Sequence, residues 1–155
     1  MATYVVAVLN KLIEVSMDRT NRFRAAAEGA ENPHLRILFT KRAEECARSV
    51  QEFTARVNSR GGELEEGGSV AGAVRRAWLN LKGAVSKPTD LAILEECERG
   101  EDVAKASYRK ALEGYLPPDV RDSVQRECDE AIRNHDQIRD LREQYRDITE
   151  EIKAL

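Results

Sequence analysis

Residues 94–115 read LEECERGEDVAKASYRKALEGY. The stretch sets acidic residues on a helix that must turn one face toward a core. Its second half, YRKALEG at 108–114, echoes FRAAAEG at 23–29. The echo extends outward. Sliding the chain against itself by 85 positions lays Leu9 on Leu94, Phe23-Arg24 on Tyr108-Arg109, Ala26 on Ala111 and Glu28-Gly29 on Glu113-Gly114. Pro33 then falls on Pro118, and Arg36, Glu45 and Arg48 fall on Arg121, Glu130 and Arg133. Helical sequences share composition, but coincident glycines and coincident prolines at two hairpins mark an internal duplication.

Apolar spacing supplies four long helices. The first is expected over about 3–28, with Val5, Leu9, Leu12, Ser16, Phe23 and Ala27 in one stripe and Gly29 as its C′ residue. A second runs over about 33–58, with Leu35, Phe39, Arg42, Cys46, Ser49, Val50, Phe53 and Val57 inward. Arg60-Gly61-Gly62 ends it, and the glycine- and glutamate-rich segment 61–68 is a loop. Ser69 looks like the N-cap of a short helix reaching about Val85, with Trp78 anchoring its apolar face. Pro88 or Thr89 opens the third long helix, which closes at Gly114. Pro117-Pro118 opens the fourth, which has no internal proline or glycine and can run to Leu155.

Short loops make each hairpin antiparallel, and about thirty residues join the hairpins. The expected fold is therefore an all-α antiparallel four-helix bundle, one domain over 1–155, with hairpins at about 3–58 and 89–155. Its long crossover, 59–88, contains the short extra helix. Composition agrees: 34% charged residues, 5% aromatic ones and four prolines suit helices with solvated faces better than a β-sandwich. The net charge of −3, with acids interspersed among the arginines, supplies no basic field for nucleic acid. Cys46, Cys97 and Cys128 are odd in number and widely spaced, so they read as small buried residues. The apolar run from Tyr4 to Leu9 is too short for a membrane span and lacks the basic flank of a signal peptide. A cytoplasmic protein is expected.

The chain resembles an uncharacterised bacterial family of ferritin-like four-helix bundles, a domain of unknown function. The residues that carry the likeness are Gly68-Ser69-Val70-Ala71-Gly72 with Arg76 and Trp78, then Glu98-Arg99-Gly100-Glu101-Asp102, and Phe23-Arg24 with Ala26-Ala27. The resemblance implies a fold and no activity. Because ferritin-like proteins are often di-iron carboxylate proteins, it raises the question of a metal. Such a site takes a Glu from each of two helices and Glu-x-x-His from each of the other two. The likeness places the lone Glu seven residues before an aromatic, which selects Glu101 before Tyr108 but Ser16 before Phe23. Glu45-x-x-Arg48 and Glu130-x-x-Arg133 carry arginine where histidine is needed, and at about 100° per residue both arginines turn outward. The inward register reads Cys46-x-x-Ser49 and Ala131-x-x-Asn134. His34 and His135 are misplaced for the role, so no metal and no cofactor is expected; Glu98 and Glu101 are the weak candidates for a single cation.

Polar residues nevertheless fall on the inward stripes: Ser16, Arg42, Ser49, Glu98, Glu101, Lys105, Glu127 and Asn134. Unpaired burial would be costly, so the expectation is either an internal polar layer, with Arg42 paired to Glu98 or Glu101 and Lys105 to Glu127, or side chains that snorkel outward from helix edges and leave Glu101 alone inside. Gly100 should admit a close neighbour, for which the backbone of the 69–85 helix is one choice. The fourth helix outruns the others and keeps an apolar row, Leu141, Tyr145, Ile148, Ile152 and Leu155, that must be covered by the Trp78 helix or by a second copy in a homodimer. The functional expectation is a non-enzymatic bundle acting through a protein partner or self-association. The alternative is an iron-binding protein or oxidase; a small-molecule carrier comes third.

Overall fold

The computed structural model describes residues 2–64 and 88–155. Its elements are α1 (Ala2–Gly29), α2 (Pro33–Ser59), α3 (Asp90–Glu113) and α4 (Pro118–Ala154). The expected short helix at 69–85, with Trp78 and the 68–72 motif, lies outside the described residues. Each start follows a local rule. Pro33 and Pro118 occupy first-turn positions where a missing N–H costs nothing, and Asn32 and Thr89 cap α2 and α3 through their side-chain oxygens. Gly29 and Gly114 close their helices through space rather than through left-handed backbone, since Gly61 has the sole positive glycine φ among the described residues. A Cβ on Gly29 would stand 3.3 Å from Ile93 Cδ1, and one on Gly114 would strike the Tyr4 hydroxyl.

These helices form an all-α bundle in which α1 packs on α2, α3 on α4, and α1 on α3. The two ends fix their directions. At one end the Asp90 carboxylate accepts from the backbone N–H groups of Glu31 (2.8 Å) and Asn32 (3.0 Å), while Asn32 Nδ2 donates to the Tyr145 hydroxyl (2.8 Å). The α1–α2 turn, the start of α3 and the body of α4 therefore meet there. At the other end Arg56 and Arg60 bridge to Asp119, and Arg121 donates to the carbonyls of Leu112 and Gly114. Every neighbouring pair is antiparallel. α2 therefore ends and α3 begins at opposite ends of the bundle, and after α2 the chain passes beside α1, where Asn10 Nδ2 donates to Glu63 O (3.0 Å).

The core is divided. One apolar cluster holds Val5, Leu9, Leu12, Phe53, Val57, Tyr108, Val120 and Val124. The other holds Phe23, Phe39, Ile93, Leu94 and Ile138, with Phe23 and Phe39 stacked at 6.2 Å. Positions 85 apart are matched in burial: Phe23 with Tyr108, Cys46 with Ala131, Ser49 with Asn134. All three cysteines are free and buried. No helix among the described residues is long and apolar enough to cross a membrane.

Asp90 satisfies two N–H groups that α2 cannot bond internally, so its carboxylate acts as a cap supplied from another helix. Asp90→Ala should lower unfolding free energy in urea by about 1–2 kcal/mol, whereas Asp90→Asn should retain a good part of it.

Candidate functional site

Between the two apolar clusters lies a polar layer, and its centre is Arg19. On α1 the residues Val5, Leu9, Leu12, Ser16, Arg19 and Phe23 alternate steps of four and three, which keeps them on one face. Arg19 therefore points inward and is fully buried. Its guanidinium grips the equally buried Glu101 of α3 with two parallel bonds, Nε to Oε1 at 2.8 Å and Nη2 to Oε2 at 2.9 Å. The third nitrogen, Nη1, donates to the Tyr108 hydroxyl at 3.3 Å and lies 3.7 Å from Glu127 Oε2 on α4. Ser16 Oγ and the Tyr108 hydroxyl are 3.0 Å apart, and Tyr108 offers its ring face 5.7 Å from the guanidinium carbon.

A charge taken out of water survives only if its partners replace the lost hydration. Fork-to-fork pairing does so for a guanidinium and a carboxylate, because both are planar and matched in spacing. Burial, the largest single effect, works against the Arg19 charge, but Glu101, Cys46 and Tyr108 together outweigh it and hold the guanidinium well above its ordinary value. Burial pushes the Tyr108 hydroxyl up to about 12, so it stays protonated. Glu127 is also pushed up by burial, against the opposing pull of Ser49 and Arg19.

The expected members of the polar layer separate into two groups. Ser16, Ser49, Glu101, Glu127 and Asn134 are buried in it. Arg42, Glu98 and Lys105 are half-buried at its rim. Arg42 does not reach Glu98 or Glu101: it pairs with Glu45 (2.9 Å) and with Gln137 (2.7 Å) on the outer seam of α2 and α4. The reason is steric and angular. Arg42 and Ala43 straddle the stripe, Ala43 takes the core position, and Arg19 already fills the centre from α1. Glu98 pairs instead with Arg142 of α4 (2.5 and 3.2 Å), and Lys105 with Asp102 one turn away (3.2 Å) rather than with Glu127.

Two neighbouring features complete the site. Arg22, buried one turn beyond Arg19, donates to Asp18 (2.9 Å) and lies 3.7 Å from Glu96. Gly100 makes room for it, since a Cβ there would run into the guanidinium. Among the described residues the close neighbour of Gly100 is thus an α1 side chain; the expected neighbour at 69–85 lies outside the described residues. On the opposite seam Glu45 and Glu130 face each other from α2 and α4. Burial and the nearby Glu127 raise Glu130 to about 7, while the Glu130 hydrogen bond and Arg42 lower Glu45 against its own burial. Near neutral pH the pair holds one proton. Glu130 Oε1 itself is buried without a hydrogen-bond partner among the described residues. The groove above this pair, about 710 Å³, is lined by Arg42, Glu45, Glu130, Arg133, Asn134 and Gln137 among others.

The donor set does not fit a di-iron pair. Glu101 is committed to Arg19, Ser16 stands where a second carboxylate would, and Cys46 and Ser49 fill the inward register of α2. His34 is exposed at the start of α2, and His135 Nε2 lies 3.0 Å from Asp102 on the outer side of the bundle. Among the described residues no group of three or more His, Cys, Asp or Glu is placed to hold a metal ion. Burial pushes the Cys46 thiol up to about 12, which makes it a poor nucleophile or ligand.

A family model described as Domain of unknown function (DUF2383) matches residues 4–114. The chain belongs to that family. No curated protein matches it. The DUF2383 match takes in α1, α2 and α3, so the Arg19, Ser16, Glu101 and Tyr108 cluster falls inside it, and Glu127 and Glu130 fall beyond it.

Arg19→Met leaves a buried carboxylate without its counter-ion and should cost about 3–5 kcal/mol in urea unfolding. The double variant Arg19→Met/Glu101→Leu should recover most of that loss, whereas Arg42→Ala should cost less than about 1 kcal/mol. The Glu130 carboxyl predicts an unusual pH slope. Between its ordinary value of 4.5 and about 7 it binds more protons folded than unfolded, so stability falls as pH rises through that window. Glu127 adds the same sign, and Glu45, lowered, releases its proton below the window. Urea midpoints measured from pH 4.5 to 7 should decline, and Glu130→Gln should flatten the decline.

Proposed function

We infer that this chain is a non-enzymatic, cytoplasmic bundle of the ferritin-like type, descended from a duplicated hairpin, that works by associating with protein surfaces, foremost further copies of itself. The buried Arg19–Glu101 pair supports the first half of this reading. A guanidinium lies where a metal-binding relative would concentrate carboxylates around cations, and it neutralises Glu101 with no ion to load or lose. The polar layer then serves to set the register of the helices.

The observation that carries the second half is the far end of α4. This helix has 37 residues against 24–28 in the others. Leu141 and Tyr145 pack on the second apolar cluster, so the expected self-association surface of 141–155 narrows. Past Tyr145 the helix continues for about 14 Å, with Ile148 at 54% exposure and Ile152 at 64%. Apolar residues held at i and i+4 on a helix end that no other described element covers form a recognition stripe.

Protein from iron-supplemented cells should carry far less than stoichiometric metal; near-stoichiometric iron that disappears in Glu101→Ala overturns the first half. Light scattering of the full chain should show a mass that rises with concentration. Ile148→Asn/Ile152→Asn, which leaves Tyr145 in place, should return it to the monomer with unchanged melting. A wild-type chain that stays monomeric up to about 1 mM overturns the second half.

A further inference from the structure

A recognition stripe needs a receiving surface, and the described residues present one at the opposite end of the bundle. Tyr4, Ala7, Val8 and Lys11 of α1, with Lys110 and Ala111 of α3, line an apolar groove of about 440 Å³. We propose that this groove receives the α4 end, 147–155, of a second copy, so that copies join head to tail. The proposal rests on self-association through α4 and names the surface that takes it.

Length, polarity and charge agree. The stripe Ile148, Ile152 and Leu155 spans seven residue steps, about 10 Å of helix. The groove wall from Tyr4 to Lys11 also spans seven steps, again about 10 Å. The groove floor is aliphatic and Tyr4 is 44% exposed at its mouth. Lys110 has no ion partner among the described residues, and Lys11 is held only by Glu14 at 3.6 Å. On the helix end, Asp147 and Glu151 lie on one flank of the stripe at i and i+4, and both are exposed. The acidic flank therefore meets lysines when the stripe enters the groove, and Glu14 stays paired with Lys11 at that rim.

The competing arrangement is two α4 ends packed on each other. In an antiparallel two-fold pair each flank meets its own copy, so Asp147 and Glu151 would face Asp147 and Glu151. Like charges juxtaposed at an interface weaken it and steer the helix elsewhere. The groove and the α4 end lie at opposite ends of one molecule, so the contact is heterologous and each added copy leaves a free groove and a free stripe. A contact of two helical turns is small, which makes the association weak and concentration-dependent.

Sedimentation velocity across a concentration series separates the arrangements. The full chain should grow past the dimer. Lys11→Glu/Lys110→Glu should weaken association at least tenfold, as should Ile148→Asn/Ile152→Asn, with both variants melting as the wild type does. Mixing the two variants supplies one intact groove and one intact stripe, and should restore a species that stops at two chains. If the lysine variant associates like the wild type, or the mixture stays monomeric, the groove is not the receiving surface, although self-association through α4 stands. If the wild type grows no further than the dimer, head-to-tail joining fails. A wild type that never associates removes both.

Discussion

The bidentate contact between Arg19 and Glu101 is the constraint on which the rest of the bundle depends. Two full charges lie at the centre of a helical core with no access to water. Such a pair adds little net stability over apolar replacements, because desolvation cancels most of its attraction. What it supplies is register. Sliding α1 by one turn against α3 would carry the guanidinium into the cluster of Phe23, Phe39 and Ile93, or into that of Leu9, Leu12 and Phe53. Either cluster lacks a counter-charge. The bundle therefore has one good alignment of α1 and α3, and the apolar residues on each side pack in the relation that this alignment imposes.

The two long seams of the molecule differ in kind. Where α1 meets α3, the charges are buried and bonded inward: Arg19 to Glu101, and Arg22 to Asp18 against the bare backbone of Gly100. Where α2 meets α4, partly exposed pairs run along the surface. Arg42 meets Gln137, Glu45 meets Glu130, Glu52 meets Ser123 and Arg126, and Arg56 meets Asp119. Surface pairs of this sort contribute little each and are screened by salt. The seam nevertheless responds to pH, because two carboxyls meet in it and share one proton. Deeper in, Arg19 and Glu101 neutralise each other, and burial holds the Cys46 thiol and the Tyr108 hydroxyl protonated.

Residue spacing alone determined the bundle. Prolines 33 and 118, the caps Asn32 and Thr89, and the apolar stripes act within a few residues of each other, so helix limits could be read to within a residue or two. The repeat at 85 positions paired the hairpins, and the inward direction of Ser16, Ser49, Glu101, Glu127 and Asn134 followed from helical angle. Arg19 is missing from the expected polar layer although it continues the four-and-three spacing between Ser16 and Phe23, because a long basic residue there is easily taken for a solvated one. Partner choice was decided only in three dimensions. Arg42 and Ala43 have almost equal claims to the core by angle, and the short side chain wins because Arg19 has filled the space from another helix. Glu98 reaches Arg142, Gly100 yields to Arg22, and Glu130 acquires its raised proton affinity from Glu45 and Glu127, all across distances in sequence that no local pattern encodes. Local spacing sets which face of a helix is inward; which charge meets which depends on the relative height of helices, and that is a property of the packed whole.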